Sequence, residues 1–196
     1  MKQKELRIVG LSYSKASAGQ YVLVLGEKRG KTKLPIIIKE NEAQFLALKL
    51  ENIKTSRPVI FNIIKTLTDT LSCELFQVSI THILEGTFHC KLHFTNMSEE
   101  YEIAASIGDS ICLAVEYGCA IYCSEEVIKL AGVLMDDDGN IDEEQHKSNH
   151  KKKREFTAVL NVSDLEKMLD KAIENEEYEI ASQIRDKITE LKEKTK

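Results

Sequence analysis

Several things are missing from this chain, and each absence narrows what it can be. No apolar run approaches about 18 residues and residues 1 to 20 hold no signal-peptide core, so neither membrane spanning nor export is expected. Basic residues are in deficit, 27 Lys+Arg against 32 Asp+Glu for a net charge of −5, which excludes a surface coated in positive charge for nonspecific DNA binding. A local basic groove is still allowed. The five cysteines (Cys73, Cys90, Cys112, Cys119 and Cys123) are odd in number, form no CxxC pair and sit among apolar neighbours. They read as reduced core thiols of a cytoplasmic protein. There is no GxGxxG, no phosphate-binding Walker motif and no nucleophile elbow, so no cofactor fingerprint is present.

What is present is a chain of 196 residues, 42% hydrophobic and 30% charged, enough for one domain with a small appendage. Composition divides it into three segments. Residues 1–132 alternate strand-like and helix-like patterns. Residues 133–162 place six acids, Asp136 to Asp138 and Asp142 to Glu144, ahead of KKKR at 151–154, and read as a charged flexible linker. Residues 163–196 are helical. The acidic DDDGNIDEE stretch is not a calcium loop: placing Gly139 sixth puts Leu134 first and Gln145 twelfth, where carboxylates are required.

Within the first segment, strands are expected around Gly10, which reads as a bulge, and at 21–25, 33–39 and 100–105. Helices are expected at 41–52, 58–71, 108–117 and 124–131. A hairpin spans 74–95. A three-residue loop, Leu84-Glu85-Gly86, would pair Phe76 with Phe94, Val78 with Leu92, Ile80 with Cys90 and His82 with Phe88, gathering the apolar residues on one face. The other face carries Gln77, Ser79, Thr81, His89, Lys91 and His93. His89 and His93 are about 13 Å apart along a strand, too far to share one metal.

The stretch LPIIIKENEAQ at 34–44 turns abruptly from apolar to polar. Asn41 with Gln44 is expected to cap a helix, with Glu42 in its first turn, where the helix dipole favours negative charge. Ala43, Leu46, Ala47 and Leu50 form one apolar stripe, while Phe45 and Leu48 point nearly the other way. A helix apolar on two sides must be covered on two sides, which marks Phe45 and Leu48 as candidates for a dimer interface. In SIGDS at 106–110, Ser106 caps a helix with Asp109 three residues on, and Gly118 is the expected stop.

LPIIIKENEAQFLALKL, then Arg57-Pro58, EGTFHCKL at 85–92, the Asp109 helix and AIYCSEEV at 120–127 together resemble the bifunctional nuclease domain, over roughly residues 5–132. The resemblance implies an α/β (α+β) fold with a mixed sheet flanked by helices, often a dimer, and cleavage of both DNA and RNA. It carries over Glu42, Ala43, Arg57-Pro58, Gly86-Thr87-Phe88 and Asp109. Two departures stand out. Ile60-Phe61-Asn62 replaces the family's Thr-His-Asp, and Ser106-Ile107-Gly108 replaces its Arg-Pro-Ser. Glu42, Asn62 and Asp109 are therefore the expected catalytic groups, as ligands of a divalent metal such as Mg or Mn or as a base. Lys39, Arg57 and Lys91 are the expected phosphate-binding residues. The lost histidine, aspartate and arginine open the alternative of a weakened or inactive member acting as a scaffold. A small-ligand regulator using the polar hairpin face is a third reading.

In the last segment, Ser163 with Glu166 reads as a capping box. Leu165, Met168, Leu169 and Ala172 form one stripe, and Tyr178, Ala181, Ile184, Ile188 and Leu191 a second, separated by ENEE at 174–177. The stretch LEKMLDKAIENEEYEIASQIRDKITEL resembles the UVR motif, which implies protein–protein contact. Leu165, Met168, Tyr178, Ala181, Ile184 and Arg185 are its expected partner-binding residues.

Overall fold

A computed structural model describes residues 2–13, 20–27, 30–53, 57–134, 162–174, 176 and 178–194, with the side chains of Ser163, Asp164 and Lys194 outside the description. Eight strands form one mixed sheet: β1 (Gln3–Tyr13), β2 (Gln20–Gly26), β3 (Thr32–Lys39), β4 (Glu74–Leu84), β5 (Thr87–Thr95), β6 (Glu100–Ala105), β7 (Ala120–Ser124) and β8 (Val133–Leu134). Their order across the sheet is β6-β5-β4-β7-β1-β2-β3-β8. Only β4 with β7 is a parallel pair, because α3 and its turn separate β7 from the hairpin. The helices are α1 (Glu40–Leu50), α2 (Ile60–Thr70), α3 (Ile107–Tyr117), α4 (Glu125–Ala131), α5 (Val162–Glu174) and α6 (Tyr178–Lys194).

Most expected elements lie within two residues of their observed bounds, including the β1 bulge between Ile8 and Gly10. The strand β7 was absent from the sequence reading, though it sits mid-sheet between β4 and β1. At five residues its alternation is too short to stand out against the helix patterns on either side. The charged linker also starts later than expected, since Val133 and Leu134 pair with Lys33 and Thr32. Residues 135–161, which hold the acidic run and KKKR, lie outside the described residues.

The hairpin register is correct only in its middle. Val78 pairs with Leu92 and Ile80 with Cys90, but Leu75 rather than Phe76 faces Phe94, and His82 faces His89 rather than Phe88. The turn is two residues, Glu85 and Gly86, both at positive φ of 50° and 76°, and a pair of left-handed residues suits the twist of a tight hairpin. Two bulges, between Leu75 and Gln77 and between Ile80 and His82, absorb the mismatch that a two-residue loop creates. The first leaves Phe76 partly exposed beside the His93 ring.

α3 covers the apolar side of the hairpin: Cys90, Leu92 and Phe94 are buried there, with the Phe94 ring edge-on to Tyr117. α1 is indeed covered on two sides, but by this same chain. Phe45 packs on Phe61 of α2 at 4.6 Å between ring centroids, and it is buried. Leu48 is buried on the ridge shared by Glu40, Gln44 and Glu51. Both ends of that ridge are tied to the tail, Glu40 to Lys171 of α5 and Glu51 to Lys187 of α6. Leu50 at the end of α1 stays exposed, and on α2 Ile60, Ile63 and Leu67, with Leu71 just past its end, form an outward apolar ridge.

α5 and α6 form a helical hairpin whose Leu165, Met168, Ala172, Ile180, Ala181, Ile184 and Ile188 join one apolar cluster with the domain core. Tyr178 is exposed, and Ile180 takes the buried place the stripe assigned to it. α5 begins at Val162, one residue before the expected Ser163 cap, whose side chain lies outside the description. No described helix is long and apolar enough to cross a membrane.

Candidate active site and its surroundings

The three expected catalytic residues share one position: each is the third residue of its helix and bonds back to the residue before the helix. β3 runs straight into α1, so the residue before the helix is Lys39 rather than Asn41. Lys39 has no side-chain oxygen to offer the helix, and the cap bond comes from Glu42, whose Oε2 accepts the Lys39 backbone N–H at 2.8 Å. Asn62 does the same in α2, its Oδ1 accepting the Val59 N–H at 3.0 Å. In α3 the bonds are reciprocal. The Ser106 hydroxyl donates to Asp109 Oδ2 at 2.7 Å and accepts the Asp109 N–H at 3.2 Å, and Gly118 ends the helix at φ 72°.

Beyond capping, their surroundings differ. Glu42 is 4% exposed and its carboxylate occupies the space a Cβ at Gly108 would fill. The first turn of α3 can pass this close only because residue 108 has no side chain. Asp109 is the next residue and is exposed, so Glu42 packs against the turn of α3 that carries Asp109. Both carboxylates also act on Cys112 one turn further in, helping burial to push its thiol up from the ordinary value. Asn62 is elsewhere. Its Nδ2 donates to Glu116 Oε1 at 2.9 Å, and the buried Glu116 also takes Lys49 at 2.6 Å. Glu116 is seven residues from Asp109 along α3, about 10 Å by helical rise, so Asn62 belongs to the far end of that helix.

The basic candidates are dispersed as well. Lys39 lines an open groove of about 560 Å³ with Tyr21, Asn41, Gln44, Met168 and Lys171. Arg57 is exposed just ahead of α2. Lys91 alternates with Cys90 along β5, which puts it on the sheet face away from α3, where it bonds Glu102 at 2.5 Å. Lys91 is therefore separated from Glu42 and Asp109 by the sheet. Of the expected partner-binding residues, Leu165, Met168, Ala181 and Ile184 are buried, while Tyr178 and Arg185 are exposed.

The resemblance implies a divalent cation, and the donors do not fit one. Among the described residues no three His, Cys, Asp or Glu groups converge as a metal shell. Glu42 uses one oxygen on Lys39, Asn62 is spent on Val59 and Glu116, and only Asp109 faces water.

Three participants escaped the sequence reading. Gly108 had been noted only as a departure from a pattern, and its role as the space for Glu42 depends on a contact 66 residues away in sequence. Glu116 and Lys171 are not among the motif residues of the sequence reading. Neither the Asn62–Glu116 bond nor the Lys171–Glu40 pair leaves a local signature.

A mixed sheet, three helices that start on capping acids or amides, and a docked helical hairpin define an α+β domain followed by a helical hairpin. Comparison with known proteins agrees. Residues 23–136 match the bifunctional nuclease domain and residues 161–194 the UvrB/uvrC motif. The chain belongs to the bifunctional nuclease domain family. It is 34% identical over 136 residues to an uncharacterized protein of Mycobacterium tuberculosis H37Rv, spanning 69% of this chain and 80% of that one. Bifunctional nuclease 1 of Oryza sativa subsp. japonica is 27% identical over 107 residues, 54% of this chain and 32% of the rice protein. Bifunctional nuclease 2 of Arabidopsis thaliana is 21% identical over 173 residues, 83% of this chain and 53% of the plant protein.

Proposed function

We propose that the chain hydrolyses phosphodiester bonds of DNA and RNA at the Glu42–Asp109 pair. The observation that carries this reading is the packing of the buried Glu42 carboxylate against Gly108, the residue before Asp109, in a chain whose plant relatives are named bifunctional nucleases. Asp109 is the exposed member, with Oδ2 fixed by Ser106, so Oδ1 is the atom that takes a proton from an attacking water. Glu42 is the buried member and positions the turn that carries Asp109. Lys39, joined to Glu42 through its own backbone N–H, is the expected cation placed to hold phosphate. Asn62 and Lys91 have no part in this centre.

The test is cleavage of supercoiled plasmid and of labelled RNA by the purified chain, in magnesium, in manganese and in chelator. Asp109→Asn is expected to reduce cleavage by about 100-fold, the scale of a lost general base. Cleavage by the variant equal to wild type sinks the proposal.

A second reading is favoured by a specific observation: Glu42, Asn62 and Asp109 are each already used as helix-start residues. In that reading the domain is a non-catalytic platform and the UVR hairpin recruits a protein partner. Affinity capture with the full chain is then expected to retain a partner that a chain truncated after residue 160 does not. Identical partners from both chains would remove the hairpin from consideration.

A further inference from the structure

At the tip of the β4–β5 hairpin, His82 and His89 face each other across the ladder. Their rings stack with centroids 4.4 Å apart and planes 4° from parallel, and both residues are exposed. This pairing is the product of the second bulge. In an unbroken strand His82 would share the face of Ile80, which is fully buried and pairs with Cys90. The extra residue between Ile80 and His82 turns the imidazole out of the apolar face and sets it against His89, and bulges characteristically re-aim a side chain in this way.

The extra residue, Thr81, also fixes the chemical form of the pair. Its hydroxyl donates to the His89 backbone carbonyl at 3.0 Å, which uses its single proton. The same oxygen lies 2.9 Å from His82 Nδ1 and can only accept there. His82 in its neutral form therefore carries its proton on Nδ1 and leaves the Nε2 lone pair free. Metal-binding histidines are typically held this way, with the second ring nitrogen committed to a fixed partner.

We propose that His82 and His89 form a two-imidazole site for a late first-row transition metal, with zinc, nickel or copper as the class that imidazole nitrogen prefers. The stacked rings do not yet aim both lone pairs at one point, and reorientation of the exposed His89 side chain would be needed to bring a nitrogen of each ring to about 2.0–2.1 Å from a shared ion. Two protein ligands leave the other positions to water or to an oxygen of a second molecule, so the site is exchangeable rather than structural. It is independent of Glu42 and Asp109, and it stands whether or not the chain cleaves nucleic acid.

The experiment is a calorimetric titration of ZnCl₂ into the full chain, read alongside histidine ring signals by NMR. Five histidines are present: His82, His89, His93, His146 and His150. The expected result is that His82 and His89 signals shift together with Zn²⁺ while His93 does not. His82→Gln and His89→Gln are each expected to weaken binding by about ten-fold or more, equivalent to about 1.4 kcal/mol. Thr81→Val, which removes the hydroxyl that sets the tautomer, is expected to weaken it less, and a His146→Gln/His150→Gln double variant to leave it unchanged. Absence of Zn²⁺ binding, affinity that survives both hairpin substitutions, or affinity lost only with His146 and His150 would each overturn the proposal. The NMR arm uses the wild-type chain, so the answer does not depend on any variant folding.

Discussion

Glycine 108 shows how much can rest on one absent methyl group. The Glu42 carboxylate lies where a Cβ at 108 would project, within a side chain otherwise 4% exposed. Gly108→Ala must push either the carboxylate or the first turn of α3 aside. Overpacking of this kind costs roughly 1–3 kcal/mol, more than the fraction of a kcal/mol that alanine gains over glycine in a helix. The expected outcome is a lower urea midpoint with an unchanged slope, and a variant as stable as wild type would mean that Glu42 relaxes freely. Glu42 and Asp109 also illustrate why residue type alone is ambiguous. A carboxylate at the third helical position is favoured by the dipole and by the cap whatever its chemistry, so chemistry has to be argued from what else it meets.

At the scale of elements, the β4–β5 hairpin and the α5–α6 hairpin fail the sequence reading in opposite ways. In the β-hairpin the apolar pattern fixed the central pairs, Val78 with Leu92 and Ile80 with Cys90, but a two-residue turn won locally and bulges reconciled the two. Two competing local preferences were both satisfied, at the cost of turning Phe76 outward. In the helical hairpin the stripes were legible, yet the surface that covers them was not. Lys171 with Glu40 and Lys187 with Glu51 hold the tail along α1, and Lys167 over the Tyr13 ring at 4.6 Å ties it to the end of β1. Exposed pairs of this type contribute up to about 1 kcal/mol each and weaken with salt. Lys187→Glu, which sets like charges against Glu51, is expected to speed amide exchange in α5 and α6 several-fold, and Glu51→Lys in the same chain to restore it. Equal exchange in all three chains would show that apolar packing alone holds the tail.

For the whole molecule, the buried thiols couple the sheet and helices to pH. Burial pushes Cys90 and Cys123 up to about 12 and Cys119 up to about 11, from an ordinary value of 9.0. Below pH 9 both folded and unfolded chains keep these thiols protonated, and stability does not depend on them. Above it the unfolded chain loses protons that the folded chain retains, so stability falls as pH rises from about 9 toward 11 and 12. Urea midpoints should be level between pH 7 and 8.5 and should drop by pH 10. A flat profile would mean the thiols become solvated without unfolding. The same compactness bears on partner binding: Leu165, Met168, Ala181 and Ile184 are buried in one cluster with the domain. A partner that reads those residues must first displace α1 or open the hairpin, whereas Tyr178 and Arg185 are exposed as they stand.

The sequence by itself determined most of the elements, though not β7 or β8, together with the ordered motifs that mark the bifunctional nuclease and UVR segments and the capping residues of α3. Each of these depends on neighbours within a few positions, where periodicity and cap chemistry act directly. It did not determine that β7 lies mid-sheet, that α1 finds its second cover in α2 and the tail, or that Asn62 and Lys91 stand apart from Glu42 and Asp109. Those are consequences of packing between residues tens of positions apart. An apolar stripe says that it will be covered, but only the closed fold says by what.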